Sequence, residues 1–101
     1  MEIHLIEAMR NFTKLPDDLW ENGYWKLNEE KARELVGSKI YFHRKRTERS
    51  FYGGIIKGYR VEKEGDNQGE IVFKFEYSKT CRNIRTDQSG WSRGMKVTTK
   101  T

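Results

Sequence analysis

The chain has 101 residues, 35% of them hydrophobic, 35% charged and 13% aromatic, and its formal net charge is +5. This length is typical of one domain, and so many aromatic rings favour a small packed core over a disordered chain. No apolar run approaches the roughly 20 residues that span a bilayer, and the N-terminus lacks the uninterrupted apolar centre of a signal peptide. We therefore predict one soluble domain, residues 1–101, located in the cytoplasm and without a membrane partner.

The N-terminal part of the chain predicts a strand followed by a short helix. Residues 2–9 form a short, mostly apolar stretch that favours a strand, although periodicity alone does not separate it from helix. Pro16 suits a first helical position, and Asp17 and Asp18 then lie where the positive end of a helix dipole favours them. We expect one or two turns of helix within residues 15–23.

A second helix has the clearest local signals in the chain. Asn28 is a good N-cap, and the two glutamates that follow it complement the helix dipole in the first turn. Gly37 can adopt the left-handed conformation that ends a helix. The spacing of three apolar residues predicts the stripe that packs on the core: Ala32, Leu35 and Val36.

From Ser38 onward the hydrophobic pattern changes to period 2, which is typical of strands. Ile40 and Phe42 are expected to face the core. Tyr41 and His43 then share the opposite face, which we expect to be exposed.

Two further strands are predicted on either side of a polar, glycine-rich turn at residues 64–69. The first, residues 51–62, carries Gly53 and Gly54 near its start, and paired glycines there favour a β-bulge or a sharp bend. The second, residues 71–77, alternates cleanly between an apolar and a more polar face.

The C-terminal part predicts a loop over residues 80–90 and a closing strand, or a loop leading into one, over residues 91–97. The predicted order is strand, two helices and then three or four mostly antiparallel strands. This order indicates the α+β class, with a small, mostly antiparallel, partly open β-barrel and one or two short helices near the N-terminus.

Positive charge is concentrated in two segments. Residues 39–49 hold five basic residues and one acidic, and residues 79–101 hold six basic and one acidic, whereas residues 1–38 hold five basic and eight acidic. If the two segments are neighbours in the fold, they form a positive face that attracts a polyanion. The alternative is that they are ordinary solvated strand faces and a basic tail.

Aromatic residues are interleaved with these cations, a combination that suits nucleic acid. Four side chains are candidates for stacking on bases: Tyr41, His43, Tyr52 and Trp91. Seven cations are candidates for phosphate contacts: Arg44, Arg46, Arg49, Arg82, Arg85, Arg93 and Lys96. Convergence of His43, Trp91 and Arg93 on one concave site would indicate a ligand pocket, and their dispersal only a charged surface.

The sequence carries no familiar catalytic motif and predicts no cofactor. Its two histidines, His4 and His43, with the single cysteine Cys81 are too few to predict a zinc site. Arg82 next to Cys81 would tend to lower the pKa of that thiol, but we expect Cys81 to be a buried structural thiol.

Several of these segments together resemble the PUA-like superfamily, in particular its EVE and ASCH branches. The resemblance lies in the hydrophobic and glycine pattern of residues 23–27, 35–43, 51–56, 71–75 and 90–97. It implies a pseudobarrel that holds RNA or a modified base in a cleft beside its strands. The function expected first is therefore non-catalytic binding of RNA or DNA, with a modified base as one specific ligand.

Two other functions stay open at this point. Some ASCH-type proteins resemble hydrolases of nucleoside-like compounds, and the central candidates for such chemistry are Lys57, Lys74 and Glu76. The other function is protein interaction, in which a small regulator or phage-encoded inhibitor covers an acidic partner with a flat basic face. An enzyme is the less favoured prediction.

Overall fold

A computed structural model of the chain describes residues 1–8 and 11–98. Within these residues the chain forms seven strands and one α-helix, together with short 3-10 turns at Gly65–Asn67 and Lys79–Cys81. The elements in chain order are β1 Glu2–Ile6, β2 Phe12–Lys14, β3 Leu19–Trp25, α1 Glu29–Leu35, β4 Lys39–His43, β5 Tyr52–Val61, β6 Ile71–Tyr77 and β7 Met95–Thr98. In this part of the chain, no helix has the length and apolar character needed to cross a membrane.

The strands form one sheet in the order β2-β3-β6-β5-β4-β1-β7. Neighbouring strands are antiparallel except β1 and β4, which run parallel with Ile3 opposite Ile40. The mostly antiparallel sheet is confirmed, and the one α-helix in the described residues is compatible with the α+β class. The sheet is open, with β2 and β7 as its edges.

Helix α1 follows its local signals closely. The side chain of Asn28 accepts a hydrogen bond from Lys31 N at 2.7 Å, and Gly37 has the expected positive φ of 91°. Ala32 and Leu35 are fully buried, as predicted, but Val36 is 43% exposed. Val36 was wrongly placed in the stripe because the helix ends at Leu35 and Val36 already has extended dihedral angles.

The helix predicted for residues 15–23 is not formed, and this prediction was wrong. Asp17 and Asp18 both have positive φ, at 64° and 59°, and they turn the chain from β2 into β3. Leu15 N donates to Leu19 O at 2.8 Å at the base of this hairpin. Residues 19–25 then form a strand because they pair with β2 on one side and β6 on the other.

The remaining strand predictions are confirmed with small changes of boundary. The predicted strand at residues 2–9 is β1, and Met9 lies outside the described residues. The strand at residues 71–77 is β6, and the glycine-rich turn before it joins it to β5 as an antiparallel hairpin. The closing segment forms a strand, β7, which pairs with β1.

The core lies on one face of the curved sheet and is closed by α1. It contains Ile3 and Leu5 from β1, Ile40 and Phe42 from β4, and the β6 side chains at positions 71, 73 and 75, all essentially without exposed surface. The sheet curves so that Phe12, on the edge strand β2, packs edge-to-face on Phe42 with ring centroids 4.9 Å apart. Residues from the two halves of the sheet therefore share one apolar interior.

Candidate nucleic-acid interface

The two basic segments are neighbours in the fold, as predicted. Loop 44–50, which joins β4 to β5, lies against loop 79–94. Ser50 N donates to Ile84 O at 2.9 Å, and Asn83 N donates to Ser50 O at 2.7 Å. The side chain of Gln88 donates to Arg46 O at 3.3 Å. Lys100, the last cation of the second segment, lies outside the described residues.

The arginines of both segments are exposed and have no acidic partner. None of them forms an ion pair with any residue in the described ranges. They are Arg44, Arg46, Arg49, Arg82, Arg85 and Arg93. Unpaired surface cations on two adjoining loops produce a positive potential that attracts a polyanion.

The stacking candidates on β4 are buried, so the prediction that they are exposed was wrong. Tyr41 is 4% exposed and His43 is 0% exposed. Together with His4 and Trp91 they form a cluster, called here the buried aromatic cluster, on the face of β1 and β4 opposite the core. His4 stacks on Tyr41 with ring centroids 4.5 Å apart, and Trp91 meets His43 edge-on at 5.7 Å. Loop 79–94 supplies the tryptophan that covers this face.

The protonation states of the two histidines follow from their partners. His43 Nδ1 lies 2.9 Å from Glu48 O, and a carbonyl oxygen only accepts, so His43 Nδ1 carries a hydrogen. In the neutral ring His43 Nε2 is then an acceptor, and it accepts from His4 Nδ1, which lies 2.9 Å away. No third metal-binding side chain joins the two histidines within residues 1–8 and 11–98.

Burial lowers the pKa of His43 below its ordinary value of 6.5, and the nearby charge of Lys96 lowers it further, while the hydrogen bond to the Glu48 carbonyl opposes the shift. Between the lowered folded pKa and 6.5 the unfolded chain binds a proton that the folded chain does not. We therefore expect the free energy of unfolding to decrease as the pH falls below about 6.5, by at most about 1.4 kcal/mol per pH unit for this group. Urea denaturation between about pH 5 and 7.5 measures this change.

The variant His43→Asn is the control, because asparagine keeps a donor for the Glu48 carbonyl but does not titrate. Its stability should depend less on pH over the same interval than that of the wild type. An identical pH slope in both proteins would assign the effect to another group.

Lys96 and Cys81 are also buried, so neither side chain is exposed for a contact with a phosphate. Lys96 is 6% exposed, and its ammonium group donates to Asp87 Oδ1 at 2.8 Å and to Asp87 O at 3.1 Å. The hydrogen bond from Lys96 to the Asp87 carboxylate, together with those from the hydroxyl and backbone N–H of Ser89, lowers the pKa of Asp87 to about 2. Lys96 therefore anchors loop 79–94 to β7, which corrects its predicted role as a phosphate contact. Cys81 is buried, as expected, and burial raises the pKa of its thiol in spite of the neighbouring Arg82.

Trp91 and Arg93 do not converge with His43 as one site. Trp91 packs on His43 in the buried aromatic cluster, and its buried indole Nε1 has no hydrogen-bond partner among the residues that the structure describes. Arg93 instead lines a separate depression with Tyr24 and Trp25. Of the three residues, His43 and Trp91 therefore lie together and Arg93 lies apart from them.

An open groove lies at the base of the first basic loop, where the loop leaves β4 and enters β5. We call it the aromatic groove; its volume is about 540 Å³, and it is lined by Phe12, Trp20, Arg44, Phe51 and Tyr52. The guanidinium of Arg44 lies 4.9 Å from the centroid of the Phe51 ring. Trp20 meets Tyr52 edge-on with ring centroids 5.7 Å apart. Arg82, from the second basic segment, is close enough for its charge to act on the Tyr52 hydroxyl.

A second opening, called here the polar cleft, has a volume of about 370 Å³. It lies where the start of β4 and the end of β7 meet loop 79–94. Lys39 and Arg85 are its cations, and Tyr41 and His4 form part of its floor. The hydroxyl of Tyr41 donates to Glu2 Oε2 at 3.0 Å, and burial together with this carboxylate raises the pKa of the phenol.

The comparisons with known proteins give no relative. No family model, curated protein or solved structure matches this chain. The resemblance to the PUA-like superfamily therefore stays a prediction.

The groove contains residues that the sequence did not assign to a binding site. Arg44 and Tyr52 were predicted as contacts, and in the sequence Trp20, Tyr24 and Trp25 come shortly before the helix, where one of three such rings suits the wall of a pocket. Phe12 and Phe51 were not singled out, although the alternation of aromatic and basic residues after Ile40 was a signal for Phe51. The hydrolase candidates Lys57, Lys74 and Glu76 line neither the aromatic groove nor the polar cleft.

Proposed function

We propose that this protein is a non-catalytic module that binds single-stranded RNA or DNA by placing a base in the aromatic groove. The observation that carries the proposal is the meeting of an open, aromatic-lined groove with exposed, unpaired arginines from two loops. Stacking on an aromatic ring is available to every base, whereas the bases of a duplex are already stacked on one another. A single strand is therefore the form that fits.

The groove provides both interactions that a nucleotide needs. Trp20 and Tyr52 are half-buried and line the groove; Tyr52 stacks on Tyr77 with ring centroids 4.8 Å apart, and Lys14 Nζ lies 5.5 Å from the centroid of the Trp20 ring. Arg44 lies at the rim, where its guanidinium can contact the phosphate of the stacked nucleotide. Further arginines of both loops continue the positive surface for neighbouring phosphates.

The shape favours this function over the alternative of a flat basic face for an acidic protein. A protein-interaction surface needs the same charge but no concave aromatic site, and the groove of about 540 Å³ is within the range of small-ligand sites. The curved sheet is compatible with the partly open PUA-like barrel, whose resemblance implies the same class of ligand. A modified base remains the more specific form of this expectation.

The decisive variant is Trp20→Leu, which keeps an apolar side chain against the core but removes the stacking surface. We expect it to bind short, fluorescein-labelled single-stranded RNA or DNA about tenfold more weakly than the wild type, measured by fluorescence anisotropy at low salt. Tyr24→Leu is the matched control, because Tyr24 is 39% exposed but lines a different depression. Its affinity should be unchanged. Absence of binding by the wild type to both nucleic acids at low salt would overturn the proposal.

The phosphate contact has its own test in the salt dependence of binding. The slope of log K against log[salt] is negative, and Arg44→Ala is expected to reduce its magnitude by about one, because the variant neutralises one phosphate fewer. The control is Lys63→Ala, since Lys63 is exposed and lies beyond the end of β5 opposite the groove. Equal slopes for both variants and the wild type would exclude Arg44 as a phosphate contact.

A further inference from the structure

The polar cleft is separate from the aromatic groove and has a different character. The two openings lie toward opposite ends of β4, because Lys39 begins this strand and Arg44 follows its last residue. The groove is lined by aromatic rings and one cation, whereas the cleft is lined by charged groups and hydroxyls. The cleft therefore suits a polar ligand.

Two cations of the cleft face it without an anionic partner. Lys39 and Arg85 come from different basic segments, both are exposed, and neither forms an ion pair within the described ranges. Glu2 is the one acidic residue among the described residues that line the cleft, so with Lys39 and Arg85 the opening keeps an excess of positive charge that attracts an anion. An ammonium and a guanidinium group are also the side chains that bind phosphate oxygens.

Hydroxyl groups complete the donors of the cleft. Thr80, Thr86 and Thr98 line it. Phosphate oxygens accept from hydroxyl, ammonium and guanidinium groups alike.

One acceptor in the cleft distinguishes a nucleotide from a free phosphate ion. The carboxylate of Glu2 lines the same opening and already accepts from the Tyr41 hydroxyl; it would repel a small anion, whereas a carboxylate has several lone pairs and can accept a further hydrogen bond from a sugar hydroxyl or an amino group. Ile84 offers an aliphatic wall beside it. We propose that the polar cleft binds a nucleotide, with the phosphate between Lys39 and Arg85 and the nucleoside toward Glu2 and Ile84.

This site would exist in addition to the base-stacking groove and does not depend on it. The test uses the full chain and a nucleoside 5′-monophosphate, with inorganic phosphate and the unphosphorylated nucleoside as comparison ligands, titrated by calorimetry at low salt. We expect the nucleotide to bind more tightly than either comparison ligand. Lys39→Gln and Arg85→Gln should each weaken its binding about tenfold or more.

Three controls separate the possible results. Lys63→Gln removes an exposed cation of the distant β5–β6 hairpin and should leave nucleotide binding unchanged. Trp20→Leu removes any nucleotide binding by the aromatic groove and weakens oligonucleotide binding, but it should leave a nucleotide bound at the polar cleft, so failure of the groove proposal and failure of this one are distinguishable. Backbone amide spectra of each variant check that the fold is retained.

The proposal is overturned by any of three results. The first is that the wild type binds no nucleotide, the second that it binds inorganic phosphate as tightly as the nucleotide, and the third that both Gln variants keep wild-type affinity. Nucleotide binding lost in Lys39→Gln and Arg85→Gln but retained in Trp20→Leu supports it.

Discussion

A Gly54→Ala variant is expected to lose about 3 kcal/mol or more of its free energy of unfolding, because a side chain does not fit at this position. Gly54 is buried in β5 between β4 and β6. A Cβ atom there would overlap the Glu76 carbonyl oxygen and lie 3.0 Å from the Phe75 ring. The overlapping atom belongs to the backbone of the neighbouring strand, so the sheet itself would have to move. Urea denaturation followed by tryptophan fluorescence measures the loss.

Gly58→Ala in the same strand is the matched control. A Cβ atom at Gly58 meets only the flexible end of the Lys74 side chain, at 3.7 Å. We expect its free energy of unfolding to change by less than about 1 kcal/mol, because the added atom fits and reduces the freedom of the unfolded chain. Equal losses of the free energy of unfolding in the two variants would show that replacing either glycine of β5 is destabilising, and that the contact with Glu76 is not the cause.

The glycine pair illustrates what the sequence predicts and what it leaves open. Two glycines at the start of a strand predict an irregularity or a close approach of another backbone. We expected a bulge or bend at Gly53 and Gly54. The register shift of β5 instead lies between Ile56 and Gly58, and Gly53 and Gly54 serve the close approach of Ile40 and Glu76. Only the positions of the neighbouring strands distinguish the two cases.

Elements defined by local interactions were predicted well. Helix α1 is specified by its cap at Asn28 and its stop at Gly37, and β6 by an alternation contained within seven residues. The strand β3 was predicted as a helix, because Pro16 and the two aspartates are compatible with either a helix start or a tight turn. Its strand conformation depends on pairing with β6, far along the chain, where Leu19 lies opposite Glu76.

The candidate site was predicted only in part for a similar reason. The adjacency of the two basic segments followed from a β-rich fold and is confirmed by the bonds at Ser50. Burial of His43 did not follow, because the alternation in β4 identifies the core face but does not show that a distant loop covers the other face. Tyr41 and His43 have apolar rings with polar tips, which suit either an exposed or a covered surface.

The aromatic groove depends most on tertiary structure. Phe12 and Trp20 come from β2 and β3, whereas Arg44, Phe51 and Tyr52 come from the β4–β5 loop and the strand after it. In the sheet, β2 and β3 lie on one side of β6 and β4 and β5 lie on the other, so these side chains meet only because the sheet curves. A local pattern contains no information about that curvature. The sequence therefore indicated the chemistry of the groove, but it identified only two of the residues that line it, Arg44 and Tyr52.

The second large effect is expected for Asn22→Ala, which should lose about 3 kcal/mol of its free energy of unfolding. Asn22 is 1% exposed, and its amide donates to Glu7 Oε2 at 2.7 Å and to Asn11 O at 3.1 Å. Its carbonyl oxygen accepts from the indole of Trp25 at 2.7 Å. Alanine removes all three bonds at once and leaves buried polar groups with fewer partners. Chemical denaturation measures the loss in stability, and hydrogen exchange shows where in the sheet it occurs.

Asn22→Asp is the control that separates shape from hydrogen bonding. Aspartate keeps the shape and an acceptor for Trp25, but it replaces the amide donor with a carboxylate that faces Glu7. The introduced carboxylate and that of Glu7 repel each other when both are ionised, so this destabilisation is present at neutral pH and decreases at acidic pH, where carboxylates bind protons. The variant should therefore recover stability relative to the wild type between about pH 7 and pH 4. If Asn22→Asp were as stable as the wild type at neutral pH, the amide donor of Asn22 would contribute little to the free energy of unfolding.

The position of Asn22 determines which part of the sheet should respond. Glu7 follows β1 and Asn22 lies in β3, and these strands are separated in the sheet by β6, β5 and β4. Their hydrogen bond therefore joins parts of the sheet that no strand pairing connects. In Asn22→Ala we expect faster amide exchange first in β2 and β3, while β4 to β6 stay protected by their own pairing. Since Phe12 and Trp20 lie on β2 and β3, the same variant should also weaken oligonucleotide binding in the groove. A uniform increase in amide exchange across all strands would mean that Asn22 stabilises the core as a whole, and not only the contact between β3 and the residues that follow β1.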